Sequence, residues 1–324
     1  MKWLANIWVR MGLSLGLLVG LVWLTVDLDE ARRALSQAHW GPLALLALWL
    51  TADRLLMAYK WRLLAVCRGM AISSWQSIKA YYLASFAGSF LPVTLGADAL
   101  RVAALAGPGR PSSALAASVV VERALGFVAS ALAALAGLAL LLFISDGVPG
   151  RVLWIIMGVL VAGALAVLLS LSTLAQRLAR RIQERTSDRG RLLGWLGRFL
   201  QAYSAYRDHR PTLLLFVLLS LLEQGAPVGA AWLAAWALDI PLTLAQAAAV
   251  VPVAILLARA PVSLSGFGVV EGLYVAFFGL VGVGSTHAFL LGFISNLASL
   301  ATAAPGAWFH RIAASDPAPD QAPR

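Results

Sequence analysis

Hydrophobic residues of this chain form long apolar blocks that are separated by short polar or basic stretches. Six blocks are about 20 residues long or close to it, which is what an α-helix needs to cross a hydrocarbon layer of about 30 Å. We predict full spans at residues 7–26, 41–58, 114–143, 152–173, 212–237 and 286–308. Apolar and polar residues do not alternate within the blocks, which argues against transmembrane β-strands. The pattern predicts an all-α, polytopic membrane helix bundle.

Two further apolar segments, residues 76–106 and 243–284, are interrupted by polar and helix-breaking residues. The first contains "LPVTLGADALR" (91–101) and the second "APVSLSGFGVVEG" (260–272), so that a similar order of residues occurs twice. Proline removes a backbone donor and glycine permits tight turns. We predict breaks in these segments at Pro92, Gly96, Pro261, Gly266 and Gly268.

Composition and charge support a membrane location and indicate an orientation. The chain has 324 residues, of which 60% are hydrophobic and 12% charged, and its net charge is +10. The basic residues lie between apolar blocks, above all in the linker 174–211, so we read them as orientation signals rather than as nucleic-acid contacts. A cytoplasmic linker requires an even number of crossings before it. We therefore predict that 76–106 re-enters from the cytoplasmic side and 243–284 from the outside, which is the arrangement of an inverted repeat.

Ionisable residues inside apolar segments are costly and by default indicate function. We predict that the substrate-binding residues are Asp98, Arg101, Glu122, Arg123, Glu223, Arg259 and Glu271. Charge alone suggests that Glu122 pairs with Arg101 and that Arg123 pairs with Asp98. The alternatives are a structural salt bridge at the turn, and a position of Glu122 and Arg123 at the level of the headgroups.

Three further expectations concern charges and breaks along the other spans. Pro227, shortly after Glu223, predicts a polar break within the span 212–237. Asp53 and Arg54 are expected to reach the inner membrane surface from the end of their span, and Lys60 to lie in the cytoplasmic connection beyond it. With one cysteine, Cys67, and no close histidine spacing, no disulfide or metal site is expected.

These motifs resemble the lysylphosphatidylglycerol synthetase transmembrane (flippase-like) family over residues 10–310. Its members have a proline-containing element ending close to Gly-Gly-Asp-x-x-x-Arg, a Glu-Arg pair on the next helix and a late Gly-x-Gly-x-x-Glu element. Here these read Gly96-Ala97-Asp98 with Arg101, Glu122-Arg123, and Gly266-Phe267-Gly268 with Glu271. Ala97 replaces the second glycine and Arg101 follows Asp98 by three positions, so the first turn departs from the family pattern.

The resemblance implies a bundle with re-entrant elements that moves a lipid between leaflets, in the cytoplasmic (inner) membrane of a bacterium. The basic residues Lys2, Arg10 and Arg311 predict that both termini lie in the cytoplasm. We expect one membrane domain, 1–310, followed by a disordered proline-rich tail, 311–324. The expected partners are membrane lipids and a lipid-modifying enzyme, without nucleic acid. No cofactor and no enzymatic activity are expected, because the chain carries no aminoacyl-transfer domain and no convincing catalytic motif.

Two rival functions stay open at this point. One is a membrane glycosyltransferase that uses a polyprenyl-phosphate sugar, suggested by the acidic residues Asp27, Asp29 and Glu30 just after the first span. The plainer interpretation of these residues is the acidic start of a helix. The other rival is a partner of a lipid-modifying enzyme that transports nothing itself, which would tolerate the loss of the intramembrane charges.

Overall fold

The computed structural model describes residues 7–90, 94–144, 191–259 and 266–313, with scattered positions between 154 and 165. Its helices are α1 (Ile7–Thr25), α2 (Leu28–Ser36), α3 (Trp40–Val66), α4 (Ser74–Phe90), α5 (Thr94–Leu105), α6 (Ser112–Ile144), α7 (Arg191–Ser204), α8 (Arg210–Glu223), α9 (Gly225–Ala237), α10 (Leu244–Ala258), α11 (Val269–Gly279), α12 (Ser285–Ala303) and α13 (Pro305–Ala313). A 3-10 helix, Ala205–His209, joins α7 to α8. The described residues contain no β-strand, so the all-α fold class is confirmed.

Four helical stretches are long and apolar enough to cross a membrane among the residues described. These are Trp40–Val66, Ser112–Ile144, Arg198–Ala237 and Ser285–Phe309. Together with the shorter apolar helices they agree with a polytopic bundle. The predicted span 152–173, the first part of the linker, most of the predicted tail, Pro92 and Pro261 lie outside the described residues.

Both interrupted segments fold as pairs of short helices, as their breaks predict. Helices α4 and α5 have 17 and 12 residues and pack against each other. Helices α10 and α11 have 15 and 11 residues and do the same. None of the four reaches the roughly 20 residues that a single crossing requires.

Other boundaries differ from the sequence expectation. Helix α3 continues to Val66 instead of ending at residue 58, which brings Lys60 into the helix. The span 212–237 is divided by a turn at Gln224, and Pro227 lies in the first turn of α9, where a missing amide hydrogen costs little. Helix α13 extends to Ala313, three residues into the predicted tail.

The linker ends in a segment that is anchored to the bundle. Helix α7 packs against α6, and the 3-10 helix after it places Tyr206 in a fully buried position. The Tyr206 hydroxyl donates to the Leu64 carbonyl at 2.8 Å, and its ring packs in a cluster with Phe216 and Val121. The part of the linker that the structure describes is therefore held against the ends of α3, α6 and α8.

The order of elements from α3 to α6 recurs from α8 to α13. Helix α3 corresponds to α8 with α9, α4 to α10, α5 to α11, and α6 to α12 with α13. The hairpins begin alike, because Ser73 and Thr243 each cap a helix by exchanging hydrogen bonds with Gln76 and Gln246, respectively. Residues Gly69 and Asp239, which precede the two caps, both have positive φ. The chain thus contains an internal structural repeat.

Helices of the second repeat pack against helices of the first repeat at two close crossings. Helix α10 of the second repeat packs on α6 of the first, and α13 of the second packs on α4 of the first. A Cβ at Gly137 of α6 would lie 2.9 Å from the Ala248 carbonyl oxygen, and one at Gly306 of α13 would overlap the Tyr82 carbonyl. Both crossings therefore depend on glycine, which lets two backbones approach directly.

Candidate functional site

Four charged residues meet where α5 packs against α6. The Arg101 guanidinium donates to Glu122 Oε2 at 2.6 Å and to Asp98 Oδ1 at 3.1 Å. Arg123 donates to both oxygens of Asp98, at 3.0 and 3.1 Å. The two pairings expected from charge are thus present, and the alternative salt bridge at the turn, Asp98 with Arg101 three positions apart, is present as well and joins them into one neutral quartet.

Arg101 is the enclosed member of this quartet. Its side chain is 3% exposed, and its guanidinium lies 4.5 Å from the ring centroid of Trp61 and 4.8 Å from that of Tyr81. The Tyr81 hydroxyl donates to Glu122 Oε1 at 3.2 Å, which fixes the carboxylate on the other side. Arginine stacked between aromatic rings and bonded to two carboxylates is held in a single orientation. Arg101 is positioned to hold the site together.

Arg123 and Arg259 are the two accessible cations of the site. The side chain of Arg123 is 57% exposed although it is bonded to Asp98. Arg259 caps the end of α10 and donates to the Ser130 hydroxyl at 2.6 Å, and no carboxylate pairs with it among the described residues. The positive charge of Arg123 acts on Arg259. Two guanidiniums from different repeats therefore lie within electrostatic range of each other, and of the two only Arg123 is paired with a carboxylate among the described residues.

A polar chain connects Arg259 to the break between α8 and α9. Ser130 accepts from Arg259 and donates to Gln224 Oε1 at 2.9 Å. Next to this turn, Lys60 donates to Glu223 and, at 2.9 Å, to the Ser220 hydroxyl. The Lys60 side chain is 4% exposed. Glu223 is therefore neutralised by a buried lysine from α3.

Two charged residues of α3 have partners on other helices that the sequence did not predict. Lys60 was expected in the cytoplasmic connection, but it is buried because α3 continues and Glu223 and Ser220 supply partners for it. Arg54 was expected to reach the membrane surface, but it donates to the Ser299 carbonyl at 2.5 Å and to the Thr302 hydroxyl at 3.3 Å on α12. The apolar residues that continue after Arg62 were the available signal that α3 is longer.

Glu271 stands apart from these charges. It is fully buried in the first turn of α11 and accepts from the Gly268 amide at 2.6 Å and from the Asn296 side-chain amide at 2.9 Å. Gly268 has a φ of 83°, in the region that glycine adopts without strain, and it starts the helix as the Gly-x-Gly-x-x-Glu element predicts. Gly266, with a φ of 82°, lies beside the second break, whereas Gly96, a predicted break, lies in the first turn of α5 because that helix already begins at Thr94.

The same motifs carry the match to a known family. A family model described as "Lysylphosphatidylglycerol synthase TM region" matches residues 8–306. The chain belongs to this family. No curated protein and no solved structure gives a match.

As a member of the lysylphosphatidylglycerol synthase TM region family, the protein is a multi-pass membrane protein. The family is consistent with a lipid-related function in the membrane. The structure joins Asp98, Arg101, Glu122 and Arg123 directly, and it brings Arg259 close to Arg123. It places Glu223 with Lys60, and Glu271 with Asn296. Sequence reasoning missed Lys60 and Asn296. Asn296 was missed because an uncharged amide in an apolar segment is far less costly than a charge and does not stand out.

The acidic residues after the first span serve a local role in this family member. Asp27 caps α2, and its Oδ1 accepts from the amides of Asp29 and Glu30 at 2.9 and 3.0 Å. These two amide donors lower the pKa of Asp27. Glu30 is paired with His287 at 3.3 Å. The acidic cluster thus forms the helix start that its sequence suggests.

Proposed function

We propose that this protein is a lipid translocase, which moves a phospholipid or a polyprenyl-type lipid between the leaflets and performs no chemical step on it. Arg123 and Arg259 bind the headgroup phosphate together. The single observation that carries the proposal is this pair of accessible guanidiniums, one from each repeat, of which only Arg123 has a carboxylate partner among the described residues. A phosphate would supply the missing negative charge through charge-assisted hydrogen bonds.

The remaining charges of the site prepare this binding. Asp98 orients Arg123, and Ser130 orients Arg259. Arg101 is enclosed and already bonded to two carboxylates, so its role is to position Asp98 and Glu122 rather than to contact the lipid. Lys60 and Glu223 neutralise each other beside the turn at Gln224. The quartet and this pair are each neutral, so the net positive charge of the site is that of Arg259.

The short helix pairs provide the path for the lipid. At about 1.5 Å per residue, α4 and α5 are roughly 25 and 18 Å long, less than the hydrocarbon thickness of about 30 Å. We infer that α4 with α5, and α10 with α11, are re-entrant hairpins that dip in from opposite faces of a bacterial inner membrane, with both termini in the cytoplasm. Inverted repeats of this kind build sites near the midplane that open alternately to the two sides.

Purified protein in liposomes with labelled lipid tests the proposal. A quencher outside the vesicles reports how fast label from the inner leaflet becomes accessible, with labelled phosphatidylglycerol in one arm and a labelled polyprenyl phosphate in the other. Arg259→Gln and Arg123→Gln each remove a charge-assisted contact worth about 1.5–3 kcal/mol, so we expect transport about 10- to 100-fold slower at limiting lipid. Arg32→Gln, on the exposed side of α2, is the matched control and should change nothing.

The outcomes separate the candidate functions. Label that stays protected with the intact protein in both arms refutes the translocase. Unchanged rates in both arginine variants would refute the assigned phosphate site. Release of sugar from a polyprenyl-phosphate donor that is lost in Asp27→Asn would support the glycosyltransferase instead. A protein that only assists a lipid-modifying enzyme would move no label and would tolerate both substitutions.

A further inference from the structure

Glu271 is a buried acid that the phosphate site does not use. It is 0% exposed, and its two carboxylate oxygens accept from two neutral donors, the Gly268 amide and the Asn296 side chain. A Cβ at Gly292 of α12 would lie 3.1 Å from the Glu271 Cα and 3.3 Å from its Cγ, so α12 closes directly over the acid. On the opposite side, Gly268 packs against Leu17 and the Ser14 carbonyl of α1.

The helices around α11 offer few charges to this acid. On α11 itself the other titratable group is Tyr274, one turn later and 1% exposed. Helix α12 carries His287, which is paired with Glu30. Helix α10 has no ionisable residue before Arg259, which is bonded to Ser130. Helix α1 carries Arg10, one turn before Ser14. The side chain of Arg10 lies outside the described part of the chain. Among described side chains, none that is basic contacts Glu271.

The internal repeat shows that this position differs between the two halves. Counted from the equivalent caps Ser73 and Thr243, Arg101 corresponds to Glu271, and Glu122 corresponds to Gly292. The residues at these two positions contact each other in both halves. In the first half Arg101 contacts Glu122, and in the second half Glu271 contacts Gly292. The first half places a base against an acid there. The second half places an acid against a hydrogen atom, so no base among the described side chains compensates its charge.

An ionised carboxylate in this closed arrangement is costly. Burying a charge without a partner costs several kcal/mol even after relaxation, so such a group takes up a proton instead. If α11 and α12 separate and water reaches Glu271, the cost disappears and the proton can leave. The protonation of Glu271 and the closure of the second hairpin are therefore linked.

We propose that Glu271 carries the proton that couples lipid movement to a transmembrane pH gradient. In each cycle the carboxylate takes one proton from water on one side while the second hairpin is open to it. The hairpin closes over the neutral acid, and the proton leaves to water on the other side. This inference rests on the proposed translocase function and adds its source of energy.

The test uses the full chain in liposomes with an imposed pH gradient. With one proton per lipid, a gradient of one pH unit biases the distribution of labelled lipid between the leaflets by up to about tenfold. A pH-sensitive dye inside the vesicles reports proton movement at the same time. Glu271→Gln should still equilibrate lipid in both directions, but it should lose both the bias and the proton signal. Glu30→Gln, which removes an acid from α2, should keep both.

The outcomes distinguish this inference from the function on which it rests. If the intact protein moves lipid but the gradient has no effect, or if Glu271→Gln keeps the bias, the coupling role of Glu271 is refuted while the translocase stands. If the intact protein moves no lipid at all, the proposed function fails and the coupling fails with it. If Glu271→Gln moves no lipid in either direction, Glu271→Asp is tested instead. This variant keeps an acid, so it should keep the bias of lipid distribution under a pH gradient. A Glu271→Asp protein without this bias would overturn the proposal.

Discussion

Breaking the ion pair between Lys60 and Glu223 is predicted to be among the most damaging single changes in this protein. The two side chains are 4% and 16% exposed and join α3 to the end of α8. Lys60→Met leaves Glu223 buried without its base, and Glu223→Gln leaves Lys60 without its acid. Removing one partner of a buried pair typically costs 3–5 kcal/mol, because the remaining charge is uncompensated.

The double variant separates this explanation from a general loss of packing. Lys60→Met combined with Glu223→Gln leaves no unpaired charge, and uncharged replacements of buried pairs are often neutral in stability. We therefore expect each single variant to lower the midpoint of thermal unfolding in detergent by on the order of 10 °C. The double variant should recover most of this loss. Arg62→Met, on the same helix and bonded through Nε to the Ile72 carbonyl, serves as control and should cost less.

The two single variants are not expected to cost the same stability. Asp53 and Glu223 occupy equivalent positions in the two repeats, and the charges of Glu122 and Asp53 also act on Lys60. Glu223→Gln thus leaves Lys60 with some compensation, whereas Lys60→Met removes the only salt-bridge partner that Glu223 has among the described residues. Lys60→Met should be the more damaging single change. Two single variants as stable as the wild type, or a double variant no better than the worse single one, would refute the reasoning.

Three further predictions follow from the geometry. Gly306→Ala should destabilise the fold and disrupt the crossing of α13 with α4, whereas Gly126→Ala, which has open space around its Cβ, should not; thermal unfolding of both variants checks this. Arg101→Lys keeps the charge but loses the planar contacts with the rings of Trp61 and Tyr81, so lipid transport should slow several-fold or more, and equal rates would contradict the positioning role. Because its folded pKa is lowered, Asp27 should stabilise the start of α2 at neutral pH and lose this effect as pH falls through the aspartate range; faster hydrogen exchange of α2 amides in acid, absent in Asp27→Asn, measures it.

The sequence was sufficient to predict which residues would be energetically costly inside a membrane, namely charged residues and helix breakers. Charges such as Asp98 and Arg123 within apolar blocks are conspicuous because they require partners there, and the available charges allowed few pairings. The breaks at the two short-helix pairs followed from proline and glycine. These signals are local, so they pointed to the correct positions along the chain.

What the sequence could not predict depends on contacts between distant segments. Lys60 looked like the end of a span because its acid, Glu223, comes from another helix far along the chain. Asn296 carries no charge, and its bond to Glu271 appears only when α11 and α12 pack together. The separation of Glu271 from the arginines likewise follows from the packing of two repeats and not from any local pattern.

The exchange of partners between the repeats has a consequence for how the protein is made. Helix α4 is synthesised early, yet the surface where it meets Gly306 is covered only by α13, the last helix described. Phe309 completes this contact, with its ring 5.6 Å from that of Trp75 and 6.0 Å from that of Tyr82. Until translation delivers α13, the first hairpin is exposed to lipid or to the insertion machinery on that side. The first hairpin therefore reaches its final packing only after α13 has been synthesised, and a chain cut before Gly306 would lack this contact.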